Sequence, residues 1–85
     1  MNSKDIKIGE FYRLKSSPNY GWVKVLAVIP PKKTVYYYNS GRQYISEKND
    51  NGFYIVVTEH TVGKNDTMGF VRRFKLDQIE KIKHE

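Results

Sequence analysis

The sequence predicts an all-β fold, and three observations carry this prediction. Short runs rich in Val, Ile, Thr, Tyr and Phe alternate in polarity, as the strands of a half-buried sheet do. Clusters of Gly, Pro, Asn, Asp and Ser separate these runs. Two of the runs flank a turn at residues 63–67, and together they predict a β-hairpin over residues 53–74. Because an isolated hairpin is marginally stable in water, the other runs are expected to cover its apolar face.

Two strands are predicted ahead of this hairpin. The run from Glu10 to Lys15 alternates in part and places Tyr12 and Leu14 on one face. The run from Trp22 to Ile29 is largely apolar on both faces, so this strand is expected to be central or sharply curved. Pro30 and Pro31 end it, because proline cannot donate to a ladder of backbone hydrogen bonds. Strict alternation predicts one shared face for Val23, Val25, Ala27 and Ile29.

Residues 31–52 are predicted to form an inserted β-hairpin arm. Val35 to Tyr38 and Gln43 to Ser46 can pair across the tight-turn sequence Asn-Ser-Gly at 39–41. Tyrosine occupies three consecutive positions, 36 to 38, so at least one ring must face away from whatever the arm packs on. The density of tyrosines and cations predicts an exposed insertion. Since long surface insertions cost little closure entropy, the arm is expected to be dispensable for folding.

The C-terminal segment, residues 75–83, admits two interpretations. Leu76, Ile79 and Ile82 recur at helical intervals, and Asp77 and Glu80 have the spacing of a capping box. A helix of about nine residues is poorly stable without packing, however. We therefore expect one short helical turn at Leu76–Gln78, followed by a closing strand at Ile79–Lys83.

The totals predict a single small basic domain over residues 1–85. The net charge is +6 and the pI is about 9.6, which favours polyanionic partners or merely gives solubility. The chain has no cysteine, and its first residues lack the apolar stretch of a signal peptide. No apolar run approaches the roughly 20 residues of a membrane helix. These features predict a cytoplasmic protein without a membrane partner, and they leave its oligomeric state open.

The sequence offers little material for catalysis. It contains two histidines, His60 and His84, and neither belongs to a cluster with metal-ligand spacing. His60 lies in a predicted strand and is interpreted as an ordinary strand residue. No phosphate-binding glycine loop and no nucleophile motif is present. We expect no enzymatic activity, no metal, no cofactor and no small-molecule substrate.

The candidate binding surface consists of tyrosines interleaved with cations. Such a pattern can stack nucleic-acid bases and neutralise phosphates, and tyrosine and arginine also dominate protein interfaces. The alternative is structural: some tyrosines pack on the domain, and the cations of the 53–74 hairpin protect a sheet edge. The candidates in the arm are Lys32, Lys33, Tyr36, Tyr37, Tyr38, Arg42 and Tyr44, and those in the hairpin are Arg72, Arg73 and Lys75.

A second candidate site is an aromatic groove. Tyr12, Tyr20 and Trp22 could line a groove or cage that holds a cation or a proline-rich peptide. No acidic residue lies beside them in the sequence. The alternative is that Trp22 belongs to the core, because large aromatic residues dominate small cores.

Three glycine-led motifs resemble the SH3-like small β-barrel in its Tudor and KOW style. They are Gly-x-x-Tyr-Arg-Leu at 9–14, Gly-Trp-Val-Lys-Val-Leu at 21–26 and Gly-Phe-Val-Arg-Arg-Phe-x-Leu at 69–76. The resemblance covers most of residues 8–83 apart from the 31–52 arm. It implies a five-stranded barrel into which the arm is inserted.

The tract at 65–74 is also similar to short proteins encoded by bacteriophages. This resemblance suggests a phage or prophage accessory protein. We therefore expect a non-enzymatic binding module that engages a host protein through its aromatic and basic surface. The alternative is a nucleic-acid-binding small β-barrel, for single-stranded or structured DNA or RNA.

Overall fold

The computed structural model describes residues 5–16, 21–39, 42–61 and 67–82, and in these residues the chain is almost entirely β-structure. The strands are β1 (Phe11–Leu14), β2 (Trp22–Ile29), β3 (Thr34–Tyr38), β4 (Tyr44–Lys48), β5 (Ile55–Thr61), β6 (Thr67–Lys75) and β7 (Ile79–Lys81). A 3-10 helix, Leu76–Gln78, joins β6 to β7. The strands form an antiparallel five-stranded sheet in the order β6-β5-β2-β1-β7 and a separate two-stranded sheet, β3-β4.

These elements confirm the predicted all-β fold and most of its strands. Strands β5 and β6 form the hairpin predicted over 53–74, although its turn lies outside the described residues. The helical turn at Leu76–Gln78 and the short strand after it are also confirmed. Among the described residues, the two end strands of the large sheet, β6 and β7, do not pair with each other, and no closed barrel is formed.

A β-bulge in the middle of β2 changes which residues share a face. Val25 lies opposite Thr58, but Ala27 lies opposite Val57, so Leu26 is an extra residue in the ladder. An extra residue reverses the alternation beyond it. The prediction that the apolar residues of this strand share one face is therefore wrong: Val23 and Val25 belong to one core, and Ala27 and Ile29 belong to another.

The first core lies on one face of the five-stranded sheet. Strands β1, β2, β5 and β7 supply its buried side chains, and residues from β6 and the 3-10 helix pack against it. Both end strands of the sheet thus contribute to the same cluster, because the sheet curves around it. Its members are Ile6, Tyr12, Leu14, Val23, Val25, Val56 and Ile79, with Val28, Phe74 and Leu76 partly buried at its border.

The second core lies on the opposite face, under the β3-β4 hairpin. Tyr37 of β3 is only 5% exposed and packs with Leu26, Ala27, Ile29 and Val57 of the large sheet. Val35 and Ile45, also from the hairpin, are partly buried against the same cluster. The predicted arm is therefore present as a hairpin, but it is not an exposed insertion. One of its faces completes the core, because the large sheet would otherwise present these apolar residues to water.

Asn49 fixes the base of the hairpin to the large sheet. Its side chain is buried, and its Nδ2 lies within hydrogen-bonding distance of the carbonyl oxygens of Ile29 (3.0 Å), Pro30 (3.2 Å) and Phe53 (2.7 Å). Its Oδ1 accepts the Asn51 N–H at 2.9 Å. One side chain thus binds backbone groups at the end of β2 and before β5.

Candidate macromolecule-binding surface

The outer face of the β3-β4 hairpin carries three exposed tyrosines. In this ladder Tyr38 lies opposite Tyr44, and Tyr36 lies opposite Ser46. Alternation along β3 places Tyr36 and Tyr38 on the outer face, while Tyr37 between them is buried. The exposed fractions of Tyr36, Tyr38 and Tyr44 are 60%, 63% and 61%. We call these three residues the tyrosine platform.

The rings of the tyrosine platform contact one another. The centroids of Tyr36 and Tyr44 are 5.7 Å apart with an interplanar angle of 13°, and those of Tyr38 and Tyr44 are 4.7 Å apart at 42°. These separations fall within the range of favourable aromatic pairs. Mutual contact restricts the rotamers of each ring, so less side-chain entropy is lost when a partner binds to them.

Backbone and side-chain hydrogen bonds connect Asn39, Arg42 and Gln43 beyond the platform. The Asn39 N–H donates to the Gln43 carbonyl at 3.2 Å, and the Gln43 N–H donates to Asn39 Oδ1 at 3.1 Å. Arg42 adopts a positive φ of 60° and donates its N–H to the Asn39 carbonyl at 2.9 Å. Asparagine commonly closes turns in this way. Arg42 is exposed and precedes Tyr44 of the platform by two residues.

Further cations lie at the base of the hairpin. Lys32 and Lys33 are exposed in the turn that precedes β3, and the Lys32 ammonium donates to the carbonyl of Asp50. Lys48, the last residue of β4, shares the outer face with the platform. Its Nζ lies 3.5 Å from Asp50 Oδ1, but both side chains are largely exposed, so this ion pair contributes little.

The other carboxylate of the hairpin, Glu47, is directed inward. Arg73 of β6 binds it with two nitrogens, Nη2 to Oε1 at 2.6 Å and Nε to Oε2 at 2.9 Å. The Tyr37 hydroxyl donates to Oε1 at 2.9 Å. The Arg73 hydrogen bonds are the main cause of a lowered pKa of Glu47, and burial is the main cause of a raised pKa of Tyr37. The Glu47–Arg73 pair therefore connects the hairpin to the large sheet and holds a negative charge away from the platform.

This ion pair makes stability depend on pH. Because the folded-state pKa of Glu47 lies below its usual value of 4.5, the stabilisation is fully present above that value and is lost as the pH falls through the folded-state pKa. We expect Glu47→Gln to reduce the free energy of unfolding by about 1 kcal/mol at pH 7, since Arg73 is half exposed. In urea titrations this difference should shrink as the pH falls below the usual value. A difference independent of pH would contradict the assignment.

The structure separates the other predicted cations from the platform. Arg72 is exposed on the opposite face of β6 from Arg73, as alternation predicts. The Arg73 guanidinium forms an ion pair with Glu47. The Lys75 ammonium lies 4.6 Å from the centroid of the Phe53 ring, in a cation–π contact. Tyr37 is buried and cannot contact a partner, which corrects its place among the binding residues.

The predicted aromatic groove is not formed by the residues proposed for it. Tyr12 is buried in the first core, where its hydroxyl accepts the Lys7 N–H at 2.9 Å and lies 3.3 Å from the Asp5 carbonyl oxygen. Tyr12 pairs with Val23, so Trp22 points to the opposite face of the sheet. There Trp22 contacts Phe11, with ring centroids 6.3 Å apart. Tyr20 lies outside the described residues.

Sequence reasoning missed Glu47, Asn49 and Lys48 as residues that organise the surface. Glu47 and its partner Arg73, which was a predicted binding residue, are 26 residues apart, and no local pattern links them. The sequence gives no sign that the Asn49 amide is buried. Lys48 could have been assigned to the outer face, because it is two and four residues beyond Ser46 and Tyr44 in one strand.

The described residues contain neither a metal-binding cluster nor a membrane-spanning helix. Within residues 5–16, 21–39, 42–61 and 67–82, no group of three or more His, Asp or Glu side chains could hold a metal ion. In the same part of the chain, no helix has the length and apolar character needed to cross a membrane. Comparison of the chain with protein-family models, curated proteins and solved structures finds no match.

Proposed function

We propose that this chain is a non-enzymatic binding module that engages a macromolecule through the tyrosine platform. The observation that carries the proposal is the clustering of three tyrosines, each more than half exposed, on a face that packs against nothing else in the described chain. Clustered exposed aromatic residues are unusual on a protein surface without a partner. Large aromatic side chains are also the residues through which most binding energy is gained.

We further propose that the module is a variant of the SH3-like small barrel. Without the β3-β4 hairpin, five consecutive strands remain, and the last of them pairs with the first. A 3-10 helix lies between the last two, and the bulge at Leu26 bends the central strand. This order, together with the glycine-led motifs, supports the relationship. The hairpin is then an insertion that covers the outside of the curved sheet.

A phage or prophage accessory protein acting in a bacterial cytoplasm is the setting that the sequence resemblance supports. In that setting the partner is a host component. If the partner is a host protein, the platform rings would be buried at the centre of the interface and would contribute most of the binding energy. The surrounding cations would lie at the polar rim and would mainly alter the association rate. A nucleic acid would use the rings for stacking and the cations for its phosphates.

The proposal predicts that removing the platform abolishes partner retention without unfolding the domain. We expect the unmodified chain to retain a macromolecule from a bacterial lysate and the triple variant Tyr36→Ser, Tyr38→Ser, Tyr44→Ser to lose it. Nuclease treatment of the lysate distinguishes a nucleic acid, which it removes, from a protein, which it leaves bound. Exposed positions tolerate substitution within about 0.5 kcal/mol each, so the thermal unfolding of the triple variant should stay cooperative.

Phe70→Ser is the matched control, because Phe70 is 61% exposed on β6, outside the platform. This variant should retain the partner. Equal retention by the unmodified chain, the triple variant and the control would refute the platform as the binding surface. Loss by the Phe70→Ser control as well as by the triple variant would show that retention does not depend on the platform specifically.

A further inference from the structure

We infer that the partner of the tyrosine platform is a single-stranded nucleic acid. The inference rests on the proposed function, because it assigns a partner class to the same surface. Three features carry it: the spacing of the exposed rings, the balance of charge around them, and the kind of cation that supplies the charge.

The ring arrangement suits unpaired bases. Tyr36 and Tyr38 are two residues apart on one strand, which separates their attachment points by about 6.6–7 Å along the sheet. Tyr44 lies across the ladder from Tyr38 and contacts both other rings. Consecutive bases of an extended strand can therefore stack on neighbouring rings. Stacking accepts any base, since each base has an aromatic face. In a duplex those faces are covered by neighbouring base pairs.

The charge around the platform is positive, and it is more so because the Glu47 side chain is directed inward. Residues 31–52 contain two carboxylates, Glu47 and Asp50. Glu47 is neutralised by Arg73 beneath the hairpin. The exposed charges near the platform are then Asp50 and four cations, with Lys32, Lys33 and Lys48 at the base of the hairpin and Arg42 two residues before Tyr44. A phosphate backbone crossing the tyrosines would meet cations at either end of its path.

The identity of the cations distinguishes a nucleic acid from a protein partner. Three of the four are lysines. Lysine is depleted in protein–protein interfaces, where tyrosine and arginine are enriched. As a point charge on a flexible stem, it suits phosphates that it contacts without fixed geometry. The strand residues of the outer face are the tyrosines with Thr34, Ser46 and Lys48. The strands therefore offer no Asn or Gln for the bidentate contact to adenine in a duplex groove.

The test is a fluorescence-anisotropy titration with labelled 12-nucleotide single strands of DNA and RNA, the matching duplex, and inorganic polyphosphate. We expect both single strands to bind, and to bind more tightly than the duplex or polyphosphate. The double variant Tyr38→Ser, Tyr44→Ser should bind single strands about tenfold or more weakly, since each stacked base contributes substantially. Phe70→Ser should bind as the unmodified chain does.

The salt dependence supplies an independent measurement. If Lys33, Arg42 and Lys48 each neutralise one phosphate, changing all three to Gln should reduce the slope of log K against log salt concentration by up to about 2. The tyrosine variant should keep the slope of the unmodified chain and lose affinity at every salt concentration. A loss of affinity without a change in slope would show that the tyrosines contribute by stacking on bases and not by neutralising phosphates.

Three results would overturn the inference. The first is no binding of either single strand at roughly 100 μM protein and low salt, where even non-specific complexes form. The second is equal affinity for single strands, duplex and polyphosphate, which would indicate charge alone. The third is tyrosine-independent binding. If a protein is still retained from lysate by the intact platform and lost by the triple variant, the proposed function stands with a protein partner; if nothing is retained, both proposals fail.

Discussion

Replacing Tyr37 by alanine is expected to reduce the free energy of unfolding by about 3–5 kcal/mol, because it removes the largest hairpin side chain from the second core. It also deprives Glu47 of a hydrogen bond at 2.9 Å. In a domain of this size the corresponding fall in Tm is roughly 12–40 °C. Thermal and urea unfolding, followed by circular dichroism, would measure the loss.

Tyr38→Ala is the control for this prediction, because the two residues are adjacent and chemically identical. Tyr38 is 63% exposed, and its replacement should change stability by at most about 0.5 kcal/mol. Tyr37→Phe should fall between the two, losing the hydroxyl but keeping the ring. If Tyr37→Ala were as mild as Tyr38→Ala, the hairpin would be dispensable for folding, as its composition alone suggests.

Replacing Asn49 by alanine is expected to destabilise the protein by about 2–4 kcal/mol. The carbonyls of Ile29 and Phe53 would lose the amide that binds them, and buried polar groups without partners are costly, whereas the Pro30 carbonyl would keep the Lys33 N–H. The Asn51 N–H would lose its acceptor as well. Because these groups connect the end of β2, the hairpin base and the start of β5, the loss should appear in urea unfolding as a lower midpoint.

Two further variants test the direction of the Asn49 hydrogen bonds. Asn49→Asp keeps the shape but directs a carboxylate toward three carbonyl oxygens, so at neutral pH it should be at least as destabilising as alanine. Asn51→Ala, at an exposed position, should have little effect. An Asn49→Asp variant as stable as the unmodified chain would contradict the assignment of Nδ2 as the donor to these carbonyls.

The strands and turns of this protein could be predicted from local pattern. The largely apolar run and the prolines after it predicted the bounds of β2, and the turn residues at 63–67 predicted the β5-β6 hairpin. The same reasoning failed inside β2, at Leu26. A bulge depends on how one strand is matched to its neighbour, and that match is not visible in the strand's own sequence.

The three consecutive tyrosines at 36–38 show how much of the candidate site could be predicted from the sequence. Period-two geometry requires that Tyr37 point away from Tyr36 and Tyr38, and the structure confirms this split. Pattern alone could not say which face would be buried. Either face becomes the inner one when apolar surface is available to cover it, and here that surface comes from β2 and β5.

The sequence by itself determined a small, basic, all-β chain, with its strand positions, its 3-10 helix and the need for its consecutive tyrosines to divide between two faces. These properties follow from side-chain volume, charge and a two-residue period, which act over a few positions. Only the tertiary structure decided that Tyr37 joins the core, that Trp22 lies apart from Tyr12, and that Arg73 draws Glu47 beneath the hairpin. Those outcomes depend on contacts between residues far apart in the chain. Such contacts stabilise the protein only after the two sheets have packed together.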